Sequence, residues 1–164
     1  MTLKLGLDMD ATCRLILDEA KHLIPSERGS VMLVDEKDKS LSIKAAFGTE
    51  AGDKLKLTVG EGIAGDVIKS GKAELINNVS QDSRYVPGKV EISSMLCVPL
   101  RSPERTFGVI NMSNGSERLF TLEDLKLLRS FAVYASLAIQ NAWNLSSLKD
   151  AASEVLRHAT LLDM

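Results

Sequence analysis

Apolar positions along this 164-residue chain change period several times, and each change marks an element. Cys13, Ile16, Leu17, Ala20, Leu23 and Ile24 recur at helical spacing, which predicts an amphipathic helix with Asp8 or Asp10 as its N-cap and Pro25 as its stop. The continuous run Val31, Met32, Leu33, Val34 predicts a short strand covered on both faces and therefore central in a sheet. After a turn over 35–39, Leu41, Ile43, Ala45 and Phe47 alternate with polar or small residues. That pattern predicts a second strand that pairs back on the first and shows one face to solvent. Leu55, Leu57 and Val59 alternate in the same way. A short helix over 63–70 is stopped by Gly71, and 73–76 reads as another brief strand. Residues 77–91 are polar, and a connection of that length in a small domain is usually functional; Tyr85, Val86 and Pro87 imply that it is partly packed.

Two further strands, 94–100 and 106–113, are joined by the turn residues Ser102, Pro103, Glu104 and Arg105. About six strands arriving mainly as hairpins, with helices at both chain ends and one short helix between, is the element order of an α+β domain; an all-parallel α/β fold is disfavoured. Residues 122–164 lack Gly and Pro, and as one helix they would extend roughly 65 Å. Leu122, Leu125, Leu128, Phe131, Ala132, Ala135 and Ile139 form a broad stripe suited to a sheet. Beyond it Tyr134, Ala138, Asn141, Leu145, Leu148, Ala152, Val155, Ala159 and Leu162 are spaced alternately four and three apart, a heptad seam in which Asn141 can set register. The expectation is a domain over 1–143 followed by a dimeric coiled coil over 144–164, because a lone projecting helix is marginally stable.

Composition narrows the function. A chain of 45% hydrophobic and 26% charged residues describes one soluble globular domain, and a net charge of -2 with interspersed signs gives no basic face for nucleic acid. No apolar run approaches the ~20 residues of a membrane span and residues 1–10 do not read as a signal peptide, so a cytoplasmic location is expected. Cys13 and Cys97 are too few for a disulfide framework or a metal cluster and read as packed thiols; no metal or cofactor is expected.

Gly60, Glu61, Gly62, Ile63, Ala64 and Gly65 spell G-x-G-x-x-G, the form of a dinucleotide fingerprint. Its neighbours do not fit. The upstream strand is amphipathic where a parallel strand would be apolar throughout, the following helix is too short, and the acid at Asp82 falls in a polar loop. The glycines instead predict a sharp passage from strand to short helix at positions where a Cβ would obstruct.

That segment opens a series of motifs. Ile76-Asn77-Asn78-Val79 with Asp82-Ser83-Arg84-Tyr85 follows, then Ser94-Met95-Leu96-Cys97-Val98-Pro99-Leu100, Phe107-Gly108-Val109-Ile110-Asn111-Met112 and Phe120-Thr121-Leu122-Glu123-Asp124-Leu125. In this order the chain resembles the GAF domain, a relative of the PAS sensory fold, over nearly its whole length. The resemblance implies a central antiparallel sheet, terminal helices on one face, and a pocket on the other beneath a loop and the short helix. It also implies a regulatory, non-enzymatic role in a signalling protein whose output is a histidine kinase of a two-component system, a nucleotide or diguanylate cyclase, a phosphodiesterase, a transcription activator or a chemotaxis receptor. The terminal helix looks like the connection to such an output.

Members resembling cyclic-nucleotide receptors carry Asn-Lys, then Phe, three residues, then Asp-Glu. Here Asn111, Phe120 and Asp124 remain, but Met112 and Leu125 replace the lysine and the last glutamate. Helix initiation explains the remainder: Thr121 as N-cap, Asp124 near the helix N-terminus, Phe120 and Leu125 as a staple. Tetrapyrrole photosensing needs a cysteine beside a histidine, and His22 and His158 lie on predicted helices away from the pocket. A thiolate at Cys97 as haem ligand is disfavoured by its apolar neighbours Leu96 and Val98. The related free methionine sulfoxide reductase works through several cysteines, and one near the pocket cannot form the disulfide of that cycle. The expected small-molecule site comprises Ile63 and Val67 as apolar wall, Asn77, Asn78, Asp82, Ser83, Arg84 and Tyr85 on the loop, and Ser94, Cys97, Asn111 and Ser113 on the strands. Arg84 is the group suited to a carboxylate or phosphate. The alternatives are a ligand-free dimerising spacer and a cyclic-nucleotide receptor.

Overall fold

The computed structural model describes residues 9–48, 57–85, 91–115 and 118–162. The element order is α1 (Met9–Leu23), β1 (Arg28–Asp35), β2 (Ser40–Phe47), β3 (Leu57–Thr58), α2 (Gly62–Ser70), β4 (Glu74–Ile76), β5 (Ser94–Arg101), β6 (Thr106–Asn114) and α3 (Leu122–Leu162), with a short 3-10 turn at Val79–Gln81. The six described strands form one antiparallel sheet in the order β3-β2-β1-β6-β5-β4, the α+β architecture that the hairpin pattern predicts. The continuously apolar β1 lies between β2 and β6, near the middle of the sheet.

Two cores lie on opposite faces. On one, Cys13, Ile16, Leu17 and Ala20 of α1 and Leu128, Ala132, Ala135 and Ile139 of α3 pack on Val31, Leu33, Leu96, Val98, Leu100, Ile110 and Met112. On the other, Ile63, Ala64, Val67 and Ile68 of α2 cover Met32, Leu41, Cys97 and Val109. Leu23 is 44% exposed, outside the face that the helical spacing assigns to it. Asp8 falls outside the described residues, and Asp10 sits inside the first turn of α1 instead of capping it.

β2 departs from simple alternation. Its register with β1 runs Val31↔Ala45 and then Met32↔Ile43, so Lys44 is a bulged residue. An extra residue reverses which side chains face which way. Leu41 and Ile43 therefore face α2 while Ala45 and Phe47 join the helical core, and β2 is apolar on both faces where the sequence predicts a solvated one.

The glycine segment behaves as its surroundings imply. Gly60 and Gly62 have φ of 91° and 69°, the left-handed region that disfavours a side chain. A Cβ on Gly65 would lie 2.6 Å from the Thr58 carbonyl oxygen. Around it, Gly60 N–H donates to Gly65 O, Glu61 N–H to Thr58 O, and the Thr58 hydroxyl to Glu61 Oε2, so strand end and helix start are laced together. Gly65→Ala must push backbone apart and is expected to lower stability by about 2–3 kcal/mol, read from the urea midpoint.

At the start of α3, Thr121 N–H donates to Asp124 Oδ2 and Asp124 N–H to Thr121 Oγ1, a reciprocal capping box, while Phe120 and Leu125 both pack into the helical core. The helix then runs 41 residues, about 60 Å. Trp143 meets Phe107 edge to face at 4.8 Å. From Asn144 to Thr160 no residue is buried.

Candidate functional site: the face of the sheet beneath α2

The α2 side of the sheet has an apolar half and a polar end. Beneath α2 the packing is continuous, with Val79 completing it and Ile43, Tyr85, Ile92 and Met95 partly buried at its margin. Beyond α2 the same face carries Arg28 and Ser30 of β1 opposite Ser113 and Asn111 of β6. Asn111 Nδ2 donates to Ser30 Oγ at 3.2 Å and approaches Met32 Sδ at 3.5 Å. Among the described residues its Oδ1 is buried without a partner, and so is Arg28 Nη1. Each unmatched group of this kind costs about 1–3 kcal/mol in an isolated fold.

The residues that the sequence assigns to the site divide into three groups. Ile63, Val67 and Cys97 form its packed floor, and Asn111 and Ser113 its polar end. Cys97 lies opposite Asn111, fully buried, and burial first, then the Glu74 charge, raises its thiol pKa above the ordinary range. Cys13, in the other core, is pushed up to about 12, chiefly by burial. Both thiols are free and neutral, so neither is an activated nucleophile.

Arg84 does not present a free guanidinium. Its Nη1 bonds Asp66 Oδ2 and Glu74 Oε2, both at 2.7 Å; its Nη2 bonds Glu74 Oε1 at 2.9 Å and Asp82 Oδ2 at 2.8 Å; its Nε bonds Asp82 Oδ1 at 2.9 Å. One cation thus ties the loop to α2 and β4. Hydrogen bonding to Arg84 holds the Asp82 carboxyl down at about 2. Asp66 and Glu74 are invisible to sequence reading because only the fold brings them to Arg84. The anion role expected of Arg84 is thereby filled from within the chain.

Ser94 faces the helical side. Its hydroxyl donates to Asn77 Oδ1 at 2.7 Å and accepts the Phe120 N–H at 3.0 Å, bracing the loop against the approach to α3. Asn77, Asn78 and Ser83 are exposed, and Asp82 and Tyr85 partly buried. Val86 and Pro87 lie outside the described residues. Arg28 and Ser30 are the site residues that the sequence reading missed. Their signal was period two back from Met32, hidden because the apolar run alone defines β1 as starting at Val31.

A cleft of about 710 Å³ opens on the opposite side, between α3 and the β4–β5 edge. Val98, Ala132 and Ser136 form its floor, Val133 and Leu137 flank it, and Lys72, Arg101 and Arg129 stand around it with no carboxylate in the lining.

A family model for the GAF domain matches residues 6–140, so the chain belongs to the GAF family. A probable 3',5'-cyclic phosphodiesterase of Caenorhabditis elegans, pde-5, is 28% identical over 153 residues, covering 83% of this chain and 21% of that protein. The Nif-specific regulatory protein of Azospirillum lipoferum is 28% identical over 121 residues, covering 68% of this chain and 19% of that protein. The chain therefore spans about a fifth of the length of either relative. Among solved structures, free methionine-R-sulfoxide reductase from Neisseria meningitidis in complex with its substrate superposes with a TM-score of 0.74 at 19% identity, covering 84% of this chain and 81% of that one. The chain is thus a GAF domain related to domains of signalling and regulatory proteins. No described helix is long and apolar enough to cross a membrane.

Proposed function

We propose that this GAF domain is a non-catalytic sensory module of a cytoplasmic signalling protein, which binds a small molecule on the α2 face and passes its state to an output through a dimer of α3 helices. The observation that carries the proposal is the two-sided wiring of β6. Asn111 and Ser113 belong to the α2 face, whereas Ile110 and Met112 between and beside them pack against the terminal helices. A displacement of β6 by ligand reaches α3 through Phe107, which meets Trp143 edge to face, and through β5, on which α3 packs, as a change in the pitch or register of a helix pair.

Self-association is supported by what α3 leaves uncovered. Tyr134, Leu145, Leu148 and Val155 of the heptad seam are 45–68% exposed, and Leu137 beside them is 56% exposed. A second copy running parallel would cover them. Charge agrees with that arrangement. On α1, Arg14 donates to the Ala46 carbonyl and Lys21 sits over the Phe47 ring, so its bases are used by its own sheet while Leu15, Asp18 and Glu19 face outward. α1 lies over β1 and β2, α3 over β5, and the cationic cleft beyond α3. A two-fold axis along α3 carries each α1 across to the partner's cleft, acid to base.

Truncation after Trp143 removes most of the seam and keeps the contact of Trp143 with Phe107. The expected result is conversion of dimer to folded monomer in sedimentation equilibrium, with the far-ultraviolet spectrum retained apart from the lost helix. A dimer of unchanged affinity would contradict the heptad assignment.

The enzymatic reading is disfavoured by the same site. A thiol cycle requires a resolving partner for Cys97, and Cys13 lies in the core on the other face of the sheet. The surviving pieces of the cyclic-nucleotide pattern are accounted for locally: Asp124 and Thr121 cap α3, and Phe120 is buried in the helical core.

A further inference from the structure

Arg28 Nη1 and Asn111 Oδ1 are two buried polar atoms of opposite need: one requires an acceptor, the other a donor. The Arg28 side chain is 16% exposed and Asn111 9%. Strand register makes them diagonal neighbours, since Arg28 pairs with Ser113 and Ser30 with Asn111. In sheet geometry such positions are roughly 7–8 Å apart, with their Cβ atoms somewhat closer.

Neither atom has a hydrogen-bond partner among the described residues. Among the described residues Arg28 pairs with Glu27, whose Oε2 lies 3.8 Å from Nη2 and already accepts the Gly115 N–H at 3.1 Å; Nη1 is left over. The Asn111 amide nitrogen lies against Ser30 Oγ and Met32 Sδ, a thioether that can only accept, and Oδ1 is the amide atom without a donor among the described residues. Around them the face is apolar, with Ile43 and Met95 partly exposed beside α2. Buried polar groups in a native fold are matched, and two unmatched groups on one face of a sheet define what would match them.

We propose that the polar end of the α2 face binds a small carboxylate with an apolar body and a hydrogen-bond donor at its far end: the carboxylate pairs with Arg28, and the donor meets Asn111 Oδ1. This rests on the sensory reading above and gives it a ligand class. With Nη2 3.8 Å from Glu27 Oε2, Nη1 is the nitrogen left for an anion, and its two N–H groups can be accepted by a carboxylate. The donor matters as much as the charge, because a ligand lacking it would leave Asn111 Oδ1 dry and unpaired.

The test uses the full chain and a matched set of probes. 4-Aminobenzoate has a carboxylate, an apolar ring and an N–H donor at the opposite end; 4-methylbenzoate lacks the donor and 4-methylaniline lacks the acid. Calorimetric titration is expected to rank 4-aminobenzoate at least tenfold above each of the others. Arg28→Met should abolish its advantage over 4-methylaniline, and Asn111→Leu its advantage over 4-methylbenzoate. Equal affinities for the three probes, or no binding of any of them, would each overturn the proposal. Mass spectrometry of ligand retained from the expression host separates this failure from that of the sensory reading. A retained neutral or cationic compound whose binding survives Arg28→Met sinks the carboxylate assignment and leaves sensing intact, whereas no retained compound together with no probe binding removes both.

Discussion

Arg84→Met is expected to lower the melting temperature at pH 7 by roughly 5–10 °C, the equivalent of about 2–3 kcal/mol for a domain of this size. The substitution keeps most of the side-chain volume and deletes the cation, leaving Asp66, Glu74 and Asp82 facing one another across the space that the guanidinium fills. The three carboxylates are 42%, 29% and 17% exposed, so water screens part of the repulsion and the loss stays below that of a fully buried pair. The pH dependence gives the cause away. Asp82 titrates at about 2 in the folded protein, depressed by its hydrogen bonds to Arg84, against roughly 3.9 in an unfolded chain. Its contribution is complete above pH ~4 and is lost as pH falls from about 4 towards 2. The gap between wild type and Arg84→Met should therefore narrow over that window in thermal melts. A gap that does not change with pH would mean that Arg84 acts through packing alone.

Reversing the charges on either side of the proposed two-fold contact should weaken self-association at least tenfold, about 1.4 kcal/mol. One variant carries Asp18→Lys with Glu19→Lys on α1; the other carries Lys72→Glu with Arg129→Glu beside the cleft. All four positions are exposed, so neither variant is expected to disturb the core. Each homodimer then sets like charges against like. An equimolar mixture recovers wild-type affinity, because in the heterodimer both contacts again join opposite signs. Recovery on mixing, followed by sedimentation velocity at low salt, is an outcome that a dimer held by the terminal helices alone does not produce.

Much of the fold was legible because local chemistry and tertiary packing agree. The G-x-G-x-x-G segment could be read as a turn from the amphipathic strand before it and the short helix after it, and Gly60, Gly62 and Gly65 occupy two left-handed positions and one close approach. The start of α3 was equally readable, since a capping box is a four-residue event. What sequence missed are events that need the third dimension. The bulge at Lys44 reverses side-chain alternation within β2, and no period in the sequence announces it. Arg84 reads as an available cation until the fold delivers Asp66 from α2 and Glu74 from β4. Ser94 reads as a pocket residue because it interrupts an apolar strand, but strand parity turns it to the helical side, where Asn77 and the Phe120 N–H use its hydroxyl. Arg28 carries no motif at all; its interest comes from a buried nitrogen beside the face that holds Asn111.

The central claim joins two properties, a bound small molecule and a paired output helix, and native mass spectrometry of the gently purified chain reads both at once. The account predicts a species of twice the chain mass carrying a small-molecule adduct that collisional activation releases before the dimer separates. A bare single chain at tens of micromolar concentration would contradict it.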